Sequence, residues 1–273
     1  MQNPHALPTP DLECHIPQRL LGVWAHPDDE AYLSAGLMAE VVARGGAVTV
    51  LALTDGELGF AADDERPHAG RSRLRRAELR EAMATIGVTD VRFMGAPDGS
   101  LERLDTGIVA DEIVAVMAEV RPELTVTFGP DGVTGHGDHV ACGLATTSAW
   151  LDTGIGELRF AAKTTEWLDE WRPFHDAVGA WMTDEPTGAS PADLDLVLDV
   201  RGAALATKRA VLRCHASQTE PLAGLMGESD YLRWIDQEAF RSPTSQELLQ
   251  AVVSAEWGSP WTPRTCRRGA VAA

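Results

Sequence analysis

Leu20-Leu21-Gly22-Val23-Trp24-Ala25-His26-Pro27-Asp28-Asp29-Glu30 decides how this chain is read. The run Leu20 to Ala25 is short and almost wholly apolar, the pattern of a buried strand. It stops abruptly on an imidazole, a proline and three carboxylates. In an open α/β sheet the carboxyl end of a strand is where ligands bind. The same arrangement recurs downstream, where the apolar run Leu124 to Phe128 is followed by Gly135-His136-Gly137-Asp138-His139. Imidazole and carboxylate together are the donor set of a catalytic zinc site. Two such clusters, each at a strand exit, are most economically read as one metal site.

Working outward, strand and helix patterns alternate. A helix is expected over Asp29 to Ala43, with Leu33, Leu37, Met38, Val41 and Val42 apolar and Gly45-Gly46 as its stop. Ala47 to Leu53 reads as a second strand, Ser72 to Ile86 as a helix and Val91 to Met94 as a short strand. Asp105 can cap a helix running to Val120, before Pro122. Asp138 to Leu151 reads as the next helix, Leu158 to Ala162 and Leu194 to Val200 as strands, and Arg201 to His215 as a helix. Such alternation means right-handed βαβ units. The expected fold is therefore α/β, a Rossmann-like, mostly parallel sheet with helices on both faces. No repeat or linker divides the chain. Residues 1–18 read as a flexible N-terminal arm and 19–273 as a single domain, with an irregular tail after Trp257.

The composition narrows the class. The chain has 273 residues, 44% of them hydrophobic, and a formal net charge of −18. That charge argues against nucleic acid and anionic membrane as partners, since both need clustered positive charge. No apolar stretch is long enough to span a bilayer. Met1 to Gln18 lacks the basic start and apolar centre of a secretory signal, so the expected location is cytoplasmic. Cys14, Cys142, Cys214 and Cys266 form no CxxC pair, so neither a disulfide scaffold nor a cysteine zinc site is expected. Cys142 reads as a small buried hydrophobe.

A zinc hydrolase needs three protein ligands and an open position for water. It also needs a carboxylate to take the water's proton and a donor for the oxyanion that forms on the attacked carbonyl. The two clusters contain these parts. Asp28 and Asp29 cannot point the same way, so one can ligate while the other faces the substrate. His136 and His139 are three apart at a helix start, so one can ligate and the other can face the carbonyl. Asp138 could hold the second imidazole protonated. Set against this, acidic residues at a helix start are also favoured by the helix dipole alone.

The sequence resembles the LmbE-like/PIG-L family of zinc-dependent N-deacetylases. Ala25-His26-Pro27-Asp28-Asp29-Glu30 is similar to that family's opening motif, and Thr54-Asp55-Gly56-Glu57-Leu58-Gly59 follows the second strand as the family's segment does. Arg75-Arg76-Ala77-Glu78 with Ile86-Gly87-Val88, Pro97-Asp98-Gly99, His136-x-Asp138-His139, Lys208-Arg209 and His215-Ala216-Ser217-Gln218 complete the likeness, in order, from Leu20 to Gln218. The resemblance implies His26, Asp29 and His139 as ligands of one zinc ion; Fe(II) or Co(II) also suits such donors. It implies Asp28 as general base, and His136, oriented by Asp138, as stabiliser of the oxyanion. It implies Arg75 and Asp98 as sugar contacts, with His215 at the substrate end of the pocket and Glu30 supporting the turn. Arg75 has a second reading, as an exposed charge in the Arg-rich run Arg71 to Arg80. His215 has one too, as a helix-terminal residue satisfying carbonyls.

The family likeness implies hydrolysis of an N-acetyl or longer N-acyl group from a glucosamine moiety. The substrate expected is a soluble small-molecule glycoconjugate, a secondary metabolite such as a glycopeptide antibiotic. The alternatives are the GlcNAc-inositol intermediate of mycothiol-type thiol biosynthesis and a thiol-conjugate amide. Two departures bear on this choice. Gly137 stands where the family usually has proline, and Thr134 stands where the mycothiol deacetylases have tyrosine. Trp150, Trp167, Trp171 and Trp181 follow the second cluster. They could wall a pocket for a bulky aglycone or belong to ordinary core.

Overall fold

The computed structural model describes residues 16–183 and 186–257. Most of the expected N-terminal arm and the tail beyond Trp257, with Cys14 and Cys266, lie outside them. The order along the chain is β1 (Arg19–Trp24), α1 (Asp29–Ala43), β2 (Ala47–Thr54), α2 (His68–Thr85), β3 (Asp90–Ala96), α3 (Thr106–Val120) and β4 (Leu124–Phe128). There follow α4 (Gly132–Gly135), α5 (Gly137–Thr153), β5 (Glu157–Ala162), α6 (Thr165–Val178), β6 (Leu196–Asp199), α7 (Ala203–Cys214), α8 (Ala216–Met226), α9 (Glu228–Trp234), β7 (Gln237–Arg241) and α10 (Ser245–Trp257).

The strands form one seven-stranded sheet in the order β3-β2-β1-β4-β5-β7-β6. The pairings from β3 across to β5 are all parallel. β7 enters antiparallel between β5 and β6. The central strands are buried on both sides, which is why β1, β2 and β4 read as continuous apolar runs rather than alternating ones. Two helix groups cover the sheet: α1, α2 and α7 pack together, and α3, α5 and α10 pack together. The chain leaves β1 in one direction to build β2 and β3, then crosses over to build β4 and β5. The β1/β4 boundary is therefore the topological switch point, where a crevice opens at the carboxyl ends of the strands. Both polar clusters sit there.

Local chemistry explains the elements that were legible. α1 begins at Asp29, as expected, with Asp29 and Glu30 in its first turn. The Asp105 side chain caps α3 by accepting the Gly107 N–H at 2.8 Å. Cys142 is fully buried on α5. The second half is more regular than its composition suggests. α6 runs through Pro173, and β7 reads Gln-Glu-Ala-Phe-Arg with three buried positions. β7 carries no clean period, whereas α6 buries Trp167, Leu168, Trp171 and His175 at helical spacing; neither element was expected.

Candidate active site

The turn after β1 carries the densest chemistry. His26 is buried, and its backbone N–H donates to Asp29 Oδ2 at 2.7 Å. Asp28 has φ of 116°, a left-handed value that costs a non-glycine residue about 1–3 kcal/mol. Its backbone N–H donates to Glu30 Oε2 at 2.9 Å. Its carboxylate lies 3.1 Å from the Arg75 guanidinium. The two neighbouring aspartates therefore point apart: Asp29 turns back toward His26 and Asp28 outward toward Arg75.

The second turn meets the first. His139, on the first turn of α5, places Nε2 3.2 Å from His26 Nδ1 and 3.4 Å from Asp29 Oδ1. Asp29 Oδ2 lies 3.5 Å from His26 Nδ1. Ligands about 2.0–2.2 Å from a tetrahedral zinc ion are separated by roughly 3.3–3.5 Å. Spacings of this size are those of metal ligands, although Asp29 meets the two imidazoles through different oxygens. The His139 Nδ1–H donates to the Gly132 carbonyl at 3.0 Å, since a carbonyl can only accept. Nε2 is left as the lone-pair nitrogen, the orientation that metal-binding histidines commonly show. His136 and His139 with His26, and Asp98 and Asp138 with His26, are the sets among the described residues in which one donor atom from each residue lies within 4.8 Å of the others.

The charge states follow from the packing. Burial pushes the Asp28 carboxyl up to about 6, against the pull of Arg75. Burial also acts to raise Asp29, but the neighbouring His139 and His26 outweigh it and hold that carboxyl well below the usual range. Burial pushes His139 down to about 4, so its imidazole is neutral. The buried His26 is raised, because Asp138, Asp29 and Asp98 together outweigh its desolvation. Its Nε2 lies 3.1 Å from Asp98 and 3.4 Å from Asp138, yet neither carboxylate is aligned with it as a hydrogen bond.

The remaining residues depart in part from expectation. Arg75 is not an exposed helix charge. It is 3% exposed, and it donates to the carbonyls of Gly56 (2.7 Å) and Pro27. A Cβ on Gly56 would stand 2.2 Å from Arg75 Nη1, so only glycine leaves room for the guanidinium. Asp98 lines the same cavity and accepts the Leu58 N–H at 2.9 Å. The Asp138 carboxylate does not orient His136. It accepts the N–H groups of Gly99 (2.8 Å) and Leu101 (2.9 Å), drawing the β3–α3 loop into the site. The Asp138 backbone N–H is what meets His136, donating to Nδ1 at 3.1 Å. An accepting Nδ1 in a neutral imidazole puts the proton on Nε2. His215 is not at the substrate end of the pocket. It is fully buried behind the first turn, with Nε2 2.7 Å from Glu30 Oε1.

One cavity of about 530 Å³ holds His26, Asp28, Asp29, Arg75, Asp98, His136 and His139 together. Trp167 and Trp181 line it, whereas Trp150 and Trp171 do not. Lys163, His175 and Trp234 line it too and were not singled out from the sequence. They carry no motif, and only folding brings β5, α6 and α9 to this rim.

Residues 21–150 match the family model described as PIG-L, GlcNAc-PI de-N-acetylase. The 1D-myo-inositol 2-acetamido-2-deoxy-alpha-D-glucopyranoside deacetylase of Kineococcus radiotolerans is 34% identical over 250 residues, covering 74% of this chain and 69% of that protein. The chain belongs to the PIG-L (LmbE-like) family. Among solved structures, N,N'-diacetylchitobiose deacetylase from Pyrococcus horikoshii superposes with a TM-score of 0.62 at 17% identity, over 87% of this chain and 89% of that one. The A40926 pseudoaglycone deacetylase Dbv21 superposes with a TM-score of 0.60 at 21% identity, over 82% and 96%. At these identities the two structures speak for the shared fold. Among the described residues no helix of this PIG-L member is long and apolar enough to cross a membrane.

Proposed function

We propose that this PIG-L chain is a metal-dependent hydrolase that removes the N-acetyl group from the glucosamine moiety of a soluble glycoconjugate. The observation that carries the reading is the convergence of His26, Asp29 and His139, the two imidazoles 3.2 Å apart and each 3.4–3.5 Å from one oxygen of the Asp29 carboxylate, with Asp28 beside them in one cavity. These three residues would hold one divalent ion, zinc by donor type, with Fe(II) or Co(II) compatible. When bound, such an ion polarises the acyl oxygen and brings the pKa of water to about 7.

The chain's own groups then have definable tasks. Asp28 takes the proton of the attacking water. Its position near pKa 6 suits a base that works close to neutrality. His136 Nε2–H donates to the acyl oxygen as that atom gains negative charge. The C–N bond breaks as a proton reaches the departing amine from Asp28 or His136, giving acetate and the free glucosamine. Arg75 holds the Asp28 carboxylate in place, and Arg75 and Asp98 face the sugar hydroxyls.

Of the aglycones expected from the sequence, the inositol conjugate has the support of the relative's printed name and its 34% identity. The glycopeptide reading is supported by fold likeness alone. The test of the reaction is acetate release from GlcNAc conjugates by the metal-loaded protein, with and without a chelator. Asp28→Asn should keep the metal content and lose most turnover. Near-full activity in that variant, or activity indifferent to chelation, would overturn the assignment. Faster hydrolysis of acyl-cysteine conjugates than of GlcNAc conjugates would favour the thiol-conjugate amidase instead.

A further inference from the structure

The cavity has a second wall that the deacetylation chemistry leaves unused. α6, the segment after it and α9 supply Trp167, His175, Trp181 and Trp234 as one aromatic group. The His175 ring lies 4.5 Å from Trp181 and 5.1 Å from Trp167, and Trp167 lies 5.7 Å from Trp234. Lys163, one residue beyond β5, sets its ammonium 4.6 Å from the Trp167 ring.

The side-chain polar atoms of this wall that lack a hydrogen-bond partner are donors. The Trp234 Nε1–H donates to His175 Nε2 at 3.0 Å, so the His175 proton is on Nδ1. That Nδ1–H is buried with no acceptor, and so is the Nε1–H of Trp181. His175 itself is 2% exposed. Burial, with Lys163 adding to it, pushes His175 down to about 4, in keeping with a neutral imidazole. Lys163 meets no carboxylate within ion-pair distance among the described residues. Glu238 and Asp236 act on it only from beyond ion-pair distance, and Glu238 is taken at 2.9 Å by the fully buried Lys208. Burial, reinforced by Lys208, pushes the Lys163 ammonium down to about 7.

Buried donors in folded proteins are rarely left unmatched, because each orphan forfeits a hydrogen bond. The Lys163 ammonium, half-buried against the same apolar surface, is the donor that an occupant can meet. That occupant brings an apolar or aromatic body for the rings and an acceptor oxygen for the ammonium. Against a lone ammonium, the strongest such acceptor is an anion. A polyol fits less well, since it brings neither an apolar body for the rings nor a negative charge for the ammonium.

We propose that this wall is the aglycone subsite, and that it selects a GlcNAc conjugate whose aglycone is apolar or aromatic and carries a carboxylate. The inference rests on the deacetylase reading above and adds the chemical class of the group beyond the sugar.

The test compares three substrates with the zinc-loaded enzyme, all as α-glycosides of N-acetylglucosamine: 4-carboxyphenyl, phenyl and inositol. The carboxyphenyl glycoside should have the highest kcat/KM, about tenfold or more above phenyl, with the inositol glycoside lowest. Lys163→Met should erase the advantage of carboxyphenyl over phenyl, its loss on the carboxyphenyl glycoside exceeding that on the phenyl glycoside by about tenfold. Highest kcat/KM on the inositol glycoside, or an equal loss on all three in Lys163→Met, would overturn the proposal. A second readout is independent of turnover. Binding of 4-carboxyphenyl glucosaminide, which has no acetyl group, is followed by quenching of tryptophan fluorescence. Binding about tenfold weaker in Lys163→Met supports the subsite, and equal binding refutes it. Should none of the three glycosides release acetate, the deacetylase reading fails while this binding result still decides the subsite.

Discussion

Replacing His215 by leucine probes the frame behind the catalytic turn. His215 and Glu30 are both completely buried and meet at 2.7 Å. The other Glu30 oxygen accepts the Asp28 N–H at 2.9 Å, and Asp28 sits at a φ that its side chain disfavours. His215→Leu leaves a buried carboxylate with one backbone donor. Breaking a buried pair from one side costs about 3–5 kcal/mol. At roughly 2–4 °C per kcal/mol for a chain of this size, the melting temperature should fall by about 6–20 °C. The double variant Glu30→Leu/His215→Leu removes both charges and leaves the Asp28 N–H without its acceptor, a loss of about 1–3 kcal/mol. It should therefore melt above the single variant. It should nevertheless be as inactive or more so, because nothing then holds Asp28 in its left-handed conformation. Acidity adds a signature. Burial acts to lower the His215 pKa, but the Glu30 charge outweighs it and raises it above the unfolded value of about 6.5. A raised base contributes stability that is fully present below about pH 6.5 and is lost as pH rises through its folded value. The gap between wild type and His215→Leu should accordingly be widest near pH 6 and narrow toward alkaline pH. Thermal denaturation followed by circular dichroism across that range, with kcat measured in parallel, decides the matter. A single variant within about 1 kcal/mol of wild type at pH 6, or a double variant less stable than the single, would refute the reasoning.

Three further outcomes follow from packing. Lys208→Met strands Glu238, which also receives the N–H groups of Gly36 and Leu37, so unfolding in denaturant should show a loss of about 3–5 kcal/mol; a loss below 1 kcal/mol would mean the pair is not as dry as it stands here. Gly143→Ala would set a Cβ 2.5 Å from the Phe128 carbonyl. It should push α5 off β4, lower the melting temperature and weaken metal retention through His139, and unchanged metal content would contradict that coupling. Gly137→Pro places proline at the first position of α5, where its missing N–H costs nothing, and the preceding His136 already has ψ of 130°. The only tight contact is with the tip of exposed Glu102, which can swing away. The melting temperature should rise, by the equivalent of about 0.4–1 kcal/mol, and a fall would show that the turn needs the glycine.

Much of the fold was legible because the deciding signals are local. A continuous apolar run of five or six residues that ends on polar side chains reads as a doubly buried strand wherever it occurs. The capping Asp105 and the apolar spacing of α1 likewise need no distant partner. The alternation of such segments up to α5 carries the parallel sheet with it. The later half lost its signal for equally local reasons. β7 has charged or polar residues at three of five positions, so its order comes from what it packs against, whereas α6 carries the helical spacing of Trp167, Leu168, Trp171 and His175 masked by Pro173.

The same division runs through the site. Residue identity and adjacency alone place two imidazole–carboxylate clusters at strand exits, because each cluster follows its own strand directly. What each side chain touches is decided by elements far apart in the chain. Asp98 and Asp138 both arrive at His26. His215 comes to rest behind Glu30, 185 residues away, instead of facing the cavity. The donors of Lys163, His175 and Trp181 share one wall only because α6 and its following segment fold back over the sheet's end. Spacing in sequence dictates which groups a turn presents, since backbone geometry is short-ranged. Which of them become partners depends on crossovers and helix packing that only the assembled sheet imposes.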